Sequence, residues 1–230
     1  MSYSPHESDL QKKEVSIWVL VLEGNLYDMP TLNSLLSGAE RERGRKFKLA
    51  RDGTSFVIAH AMKRLILGRA LGVQPHALSF EVGLFGKPSV KGGGLYFSLS
   101  RSGDYALLAL GRHHQIGIDL ELVRPLPELD AIAAQHFSTA DQARLDLAGE
   151  DKLVTFFDLW TAHEAVLKAA GVGLSGHTFG PAGAWTYQNL ALIEGYRAAL
   201  AAPRSAWSVK TYDQNDVIQS WLEIFLFPND

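Results

Sequence analysis

Residues 15–22 are apolar on both faces of an extended chain and predict a strand inside a sheet. Residues 32–36 then predict a short helical piece, and residues 39–50 a charged helix. Thr54 is placed to cap a long helix reaching residue 70, with Phe56, Ala59, Leu65, Ile66 and Leu67 buried and Gly72 as its stop. A short strand is expected at 78–82, followed by a loose glycine-rich connection around Lys87. Residues 95–100 and 105–111 read as a hairpin turning at Arg101-Ser102-Gly103-Asp104. In 116–122, Ile116, Ile118, Leu120 and Leu122 alternate with Gly117, Asp119 and Glu121, so a strand buries the aliphatic set and turns both carboxylates to its other face. Helices are expected over 128–135, 139–147 and 151–170. The middle one opens on Ser138 with Asp141 three residues on, in the manner of a capping box, and Gly171 and Gly173 close the last. Strands at 184–188, 191–198, 207–212 and 220–227 complete the pattern. The order of elements nearly repeats, which gives an α+β fold of two similar halves, 15–114 and 115–230, behind a loose polar arm at 1–14.

Composition narrows the classes. Of 230 residues, 47% are hydrophobic, ample for a packed core. A net charge of -3 argues against general nucleic-acid binding. The absence of cysteine removes disulfides, thiolate zinc sites and a cysteine nucleophile, and fits a reducing compartment. The apolar run at 17–22 is too short for a signal segment or membrane span, so a soluble cytoplasmic protein without a membrane partner is expected.

Asp119 and Glu121 on one strand face make a hard-cation site. Glu164 lies in an apolar helical run, where an acid is costly without a partner, and Lys168 sits one turn on. Glu164 can therefore be half of an ion pair with Lys168, a metal ligand, or both. Three carboxylates and a lysine converging would suit Mg²⁺ holding phosphate oxygens. The densest positive stretch comprises Arg41, Arg43, Arg45, Lys46, Lys48 and Arg51, with Glu40 and Glu42 available as partners. Trp160 reads as core packing.

Gly117-Ile-Asp119-Leu-Glu121 followed by Trp160-x-x-x-Glu164-Ala-x-x-Lys168 resembles the signature of the 4′-phosphopantetheinyl transferases of the longer, Sfp type. Gly86-Lys87-Pro88 and Phe97-Ser98-Leu99-Ser100-Arg101-Ser102 resemble two further blocks of that family, in the same order. The resemblance implies halves related by a pseudo-twofold, with the active site in the cleft between them and both halves in one monomer. It implies Mg²⁺-dependent transfer of 4′-phosphopantetheine from coenzyme A to a serine of an apo acyl or peptidyl carrier protein. By the same resemblance Asp119, Glu121 and Glu164 are metal ligands, and Glu164 accepts the serine proton. Lys168 steadies anionic oxygens, while Lys87, Ser100 and Arg101 contact the phosphates of coenzyme A. Arg43 matches a cation for the nucleotide end; Arg51 and Arg64 match family positions too, with salt bridging between helices as an equal reading. Two positions depart from the pattern: Arg101 stands where histidine is usual, and His163 where lysine precedes the glutamate. They motivate the alternatives of a non-catalytic relative and of an enzyme for another nucleotide diphosphate. Arg124 and Phe137 are candidates for carrier docking.

Overall fold

The computed structural model describes residues 14–172, 184–204, 207–213 and 215–216. In chain order its elements are β1 (Glu14–Val21), α1 (Met29–Leu35), α2 (Gly38–Arg45), α3 (Ala50–Leu71), β2 (Phe80–Val82), β3 (Pro88–Val90), β4 (Tyr96–Ser102), β5 (Tyr105–Gly111), β6 (Gly117–Leu122), α4 (Leu129–His136), α5 (Thr139–Asp146), α6 (Lys152–Ala170), β7 (Trp185–Leu190), β8 (Tyr196–Pro203) and β9 (Ser208–Tyr212). The class is α+β, as the periodicities predict.

Two antiparallel-rich sheets carry the fold. One has the order β4-β5-β1-β9, and the other β6-β8-β7. Strand β9 comes from the end of the described chain yet pairs with β1 in parallel, Trp18 opposite Tyr212, and the two rings stack at 5.0 Å. Because side chains alternate along a strand, each sheet has two apolar faces to cover. Val15, Ile17, Leu107 and Ala109 meet Ile118, Leu120, Ala198 and Leu200 in a core between the sheets. On the far side of the first sheet, Trp18, Leu20, Leu108 and Leu110 pack on Ile58, Ala61 and Leu65 of α3. On the far side of the second, Ala199 and Ala201 pack on Ala162, Ala165 and Ala169 of α6. Each sheet thus carries one long helix on its outer face. Both helices end on a glycine in the left-handed region, Gly72 (φ 67°) and Gly171 (φ 71°), where a β-carbon would be strained.

Several expected boundaries move. The charged stretch is not one helix: α2 stops at Arg45 and α3 starts at Ala50 behind an extended Leu49 (φ -101°, ψ 129°), so Thr54 lies inside α3 and caps nothing. Helix α2 is instead opened by a full capping box in which Ser37 accepts from the Glu40 amide and Glu40 accepts from the Ser37 amide. The stretch around Lys87 is not a loose connection. It is a hairpin, β2 against β3, closed by Gly83 donating to the Lys87 carbonyl at 2.9 Å and by Gly86 at φ 88°. Strand β4 runs on to Ser102, and β8 begins at Tyr196 because a turn ending at Gly195 (φ 76°) precedes it. Ser138 does cap α5, accepting from the Asp141 amide. The expected arm, apart from Glu14, and the expected strand at 220–227 lie outside the described residues, as does Gly173. Among the described residues no helix is long and apolar enough to cross a membrane.

Strand β6 and helix α6 approach each other very closely. A β-carbon on Gly117 would overlap the Ala165 carbonyl oxygen and the Ala169 amide nitrogen, both backbone atoms that cannot swing aside. Glycine is therefore required by packing at the head of β6. Gly117→Ala is expected to cost at least about 3 kcal/mol of stability, since overpacking against backbone cannot relax by a rotamer change; chemical denaturation measures it.

Candidate active site

Strands β4 and β6 lie edge to edge, and serine side chains stitch them where backbone pairing is missing. Ser98 accepts from the Ile118 amide at 3.1 Å, and Ser102 from the Leu122 amide at 3.1 Å. Residues 98, 100 and 102 share one face of β4, so Ser100 meets the same seam. It donates to Asp119 Oδ1 at 2.8 Å and receives Lys168 Nζ at 2.9 Å. Ser102 also donates to Glu121 Oε2 at 2.8 Å. One strand therefore orients both acids of the next.

Asp119 is 3% exposed, and its Oδ1 carries the Lys168 ammonium at 2.5 Å. Lys168 pairs across elements with Asp119 rather than along the helix with Glu164, which is one of the readings open from the sequence. Glu164 Oε1 and Asp119 Oδ2 are buried with no hydrogen-bond partner. Burial pushes the Glu164 carboxyl above its ordinary value, and the charges of Asp119 and Glu121 add to the rise against the pull of Lys168. Glu121 is raised by burial in the same way, with Ser102 opposing and Asp119 reinforcing. The three acids thus lie close enough to feel one another. Among the described residues, however, they do not form a ready-made group of three ligands, and the Lys168 ammonium is on Asp119.

A cleft of about 1080 Å³ joins this cluster to the first half of the chain. Its floor includes Glu164 and Lys168, and its opposite wall carries Arg43, His60, Lys63 and Arg64. Lys63 (4% exposed) and Arg64 (2% exposed) are held by one buried acid: Lys63 Nζ lies 3.1 Å from Glu40 Oε1 and Arg64 Nε 2.6 Å from Glu40 Oε2. Burial alone would raise the Glu40 carboxyl, but the hydrogen bond from His60, the Lys63 charge, the Ser37 amide and Arg64 together hold it well below the usual carboxylate range. Burial takes His60 down to about 4, so this imidazole is neutral at neutral pH. Arg64 also donates to the Pro75 and Leu78 carbonyls, which fixes its fork. The wall holds more cations than its single acid neutralises, and the cleft's aromatic lining includes Phe56, Phe80, Phe85 and Phe97, with Lys63 4.3 Å from the Phe80 ring centroid.

The remaining candidates fall as follows. Arg43 lines the cleft with its guanidinium 5.4 Å from the Phe56 ring centroid. Lys87 lines it too, but donates to the Ile116 and Ala169 carbonyls at 3.1 and 3.0 Å, and burial lowers its ammonium to about 8. Arg101 points away from the serine seam and lies over Phe47 and Phe56, at 5.2 and 5.7 Å. Arg51 pairs with Asp104. His163 packs 6.4 Å from both His136 and Trp160; burial, then His136, lowers its pKa and so disfavours its charged form. Phe137 is buried in the core of α4 and α6 and is no docking surface, whereas Arg124 is half exposed beside Glu121. The wall of Glu40, His60 and Lys63 escaped the sequence reading. Two signals were present: Ser37-x-x-Glu40 as a capping box, and two adjacent cations, Lys63-Arg64, inside an apolar helix.

A cationic aromatic wall facing a carboxylate and lysine cluster suits a substrate that carries phosphates on a nucleotide. Residues 115–216 match the family model of the 4′-phosphopantetheinyl transferase superfamily. The chain is 35% identical over 176 residues to the 4′-phosphopantetheinyl transferase HetI of Nostoc sp., covering 74% of each chain. It is 34% identical over 164 residues to a putative 4′-phosphopantetheinyl transferase of Synechocystis sp., covering 70% of this chain and 66% of that one. Against the 4′-phosphopantetheinyl transferase Sfp of Bacillus subtilis the identity is 28% over 144 residues, covering 62% and 63%. The chain belongs to the 4′-phosphopantetheinyl transferase superfamily.

Two consequences can be measured on the protein alone. An acid raised by folding destabilises the fold once ionised: the cost is absent below its unfolded pKa and complete above its folded one. Glu164→Gln should therefore match the parent in stability at acid pH and exceed it at neutral pH without divalent ions, as read by urea midpoints. Ser98→Ala strands the Ile118 amide and should cost about 1–3 kcal/mol, again by urea denaturation.

Proposed function

We propose that this chain transfers the 4′-phosphopantetheine arm of coenzyme A to the serine hydroxyl of an apo carrier protein, releasing adenosine 3′,5′-bisphosphate, and that it does so as a monomer. The observation that carries the reading is the single cleft in which the cationic wall of the first half faces Glu164 and Lys168 of the second. Arg43, Lys63 and Arg64 supply charge for the nucleotide phosphates, and Arg101 adds positive potential from behind Phe56. Lys87 reaches the same cleft, from a hairpin that holds it against α6.

The acid cluster fits a magnesium ion. Two of its buried oxygens, Asp119 Oδ2 and Glu164 Oε1, have no partner, and hard carboxylate oxygens are the donors Mg²⁺ prefers. Asp119, Glu121 and Glu164 would hold it. Mg²⁺ bound there would draw charge from the pyrophosphate oxygens and stabilise the departing phosphate.

The chain's own groups do the rest. Glu164, raised by burial and by its acidic neighbours, is a stronger base than an ordinary carboxylate and suited to accept a proton. The carrier's serine oxygen forms a bond to the β-phosphorus as its proton passes to Glu164, and the bond from that phosphorus to the bridging oxygen breaks toward the adenosine bisphosphate. Lys168, at the cleft floor, steadies the anionic oxygens. His163 does not line the cleft and burial disfavours its charged form, so Lys168 is the cation that α6 offers at this site.

Apo carrier protein incubated with this chain, coenzyme A and Mg²⁺ should gain the mass of one phosphopantetheine; no gain across acyl and peptidyl carriers contradicts the proposal. Glu164→Gln should slow transfer on the order of 10²-fold or more. Because Glu164 works deprotonated, the rate should fall as pH drops and Glu164 takes up a proton, an acid limb that Glu164→Gln should abolish in a pH profile of the residual rate.

A further inference from the structure

We infer that Lys168 is the internal counter-ion of the acid cluster: it neutralises Asp119 when no divalent cation is present, competes with that cation, and is released toward substrate phosphate when the cation enters. The inference rests on the proposed function and concerns how its two charges are exchanged.

Three observations carry it. Asp119 is buried almost completely, and a buried carboxylate is stable only when paired. Its ion-pair partner is Lys168, reached across from α6 to β6 at 2.5 Å. Glu164, four residues earlier on the same helix and in the order that favours an ion pair, is passed over, its Oε1 left buried without a partner. A lysine serving only the helix would take Glu164; this one goes to the most buried acid.

The Lys168 side chain is also placed to leave. It is 31% exposed and faces the cleft, while Asp119 is fixed on its strand by Ser100. A lysine stem has several rotatable bonds, so the ammonium can turn from Asp119 into the cleft without a change in the backbone. An ammonium and a divalent cation on the same carboxylate repel strongly in a half-buried site, so entry of one weakens the hold on the other. By linkage, a phosphate ligand that attracts the released ammonium tightens cation binding by the same factor as the cation tightens the ligand. Lys168 would thus couple arrival of the cation to arrival of the pyrophosphate.

The test uses the full chain and Mn²⁺ as the probe, titrated by electron paramagnetic resonance without nucleotide. Lys168→Met should bind Mn²⁺ on the order of tenfold more tightly than the parent, because the competing charge is gone. Lys168→Arg, which keeps the charge, should stay near the parent. In the parent, acetylation of Lys168 followed by mass spectrometry should rise when Mn²⁺ is added and fall again with inorganic pyrophosphate. This second readout stands if Lys168→Met does not fold. Equal or weaker Mn²⁺ binding by folded Lys168→Met, or acetylation indifferent to Mn²⁺, overturns the inference and leaves the proposed transferase intact. Failure of every form to bind Mn²⁺, even with pyrophosphate present, overturns the divalent site itself and the inference with it.

Discussion

Helix α6 crosses β6 at the distance of a bare backbone, and that closeness is possible only because Gly117 has no side chain. Two residues along β6, Asp119 faces the same helix, and its carboxylate meets the lysine that α6 carries one turn beyond Glu164. A wider spacing would leave Asp119 buried with nothing to neutralise it. The helix that packs the second sheet is therefore also the helix that delivers the chemistry, and the small residues Ala165 and Ala169 on its inner face serve both ends. Packing and electrostatics are here one constraint.

The first half answers with the opposite charge. Its long helix α3 holds Lys63 and Arg64 nearly buried, and one acid from α2 keeps both in place. Glu40 is itself fixed by the capping box that starts α2, so a local helix signal anchors part of the wall of the cleft. Between the two charge systems run β4 and β6, joined by serine hydroxyls instead of a backbone ladder. A hydroxyl both donates and accepts, so Ser102 can hold a β6 amide and orient Glu121 at once. A backbone carbonyl in its place could only accept.

What the sequence made legible follows the range of each signal. Alternation gave β6 with Asp119 and Glu121 on the face opposite its aliphatic set, and helical periodicity gave α3 and α6 with their glycine stops. Boundaries failed where a local preference lost to context: the charged stretch breaks at 46–49, and the residues around Lys87 fold into a hairpin because Gly83 and Gly86 close a turn rather than merely loosen the chain. The family motifs pick out Glu164, Lys168, Lys87 and Arg43, which line one cleft, and Asp119, which pairs with Lys168. They could not foretell which acid Lys168 would choose, since an i to i+4 spacing is visible in sequence and a contact between residues 119 and 168 is not. Nor could they show that Arg101 and Ser100, adjacent in sequence, would serve opposite faces of β4. The buried Glu40 network was hidden because its members come from two helices, and only its capping-box half is local.

At the centre of this account are the acids of β6 and α6 acting together on one cation beside a nucleotide's phosphates. Crystals grown with coenzyme A and Mn²⁺, measured at the manganese absorption edge, test this directly. An anomalous peak within bonding distance of Asp119, Glu121 and Glu164, with the pyrophosphate against it and the Lys168 ammonium turned to a phosphate oxygen, is the predicted result. A peak remote from these carboxylates, or coenzyme A seated in the cleft with Lys168 still on Asp119 and no metal at the acids, would contradict it.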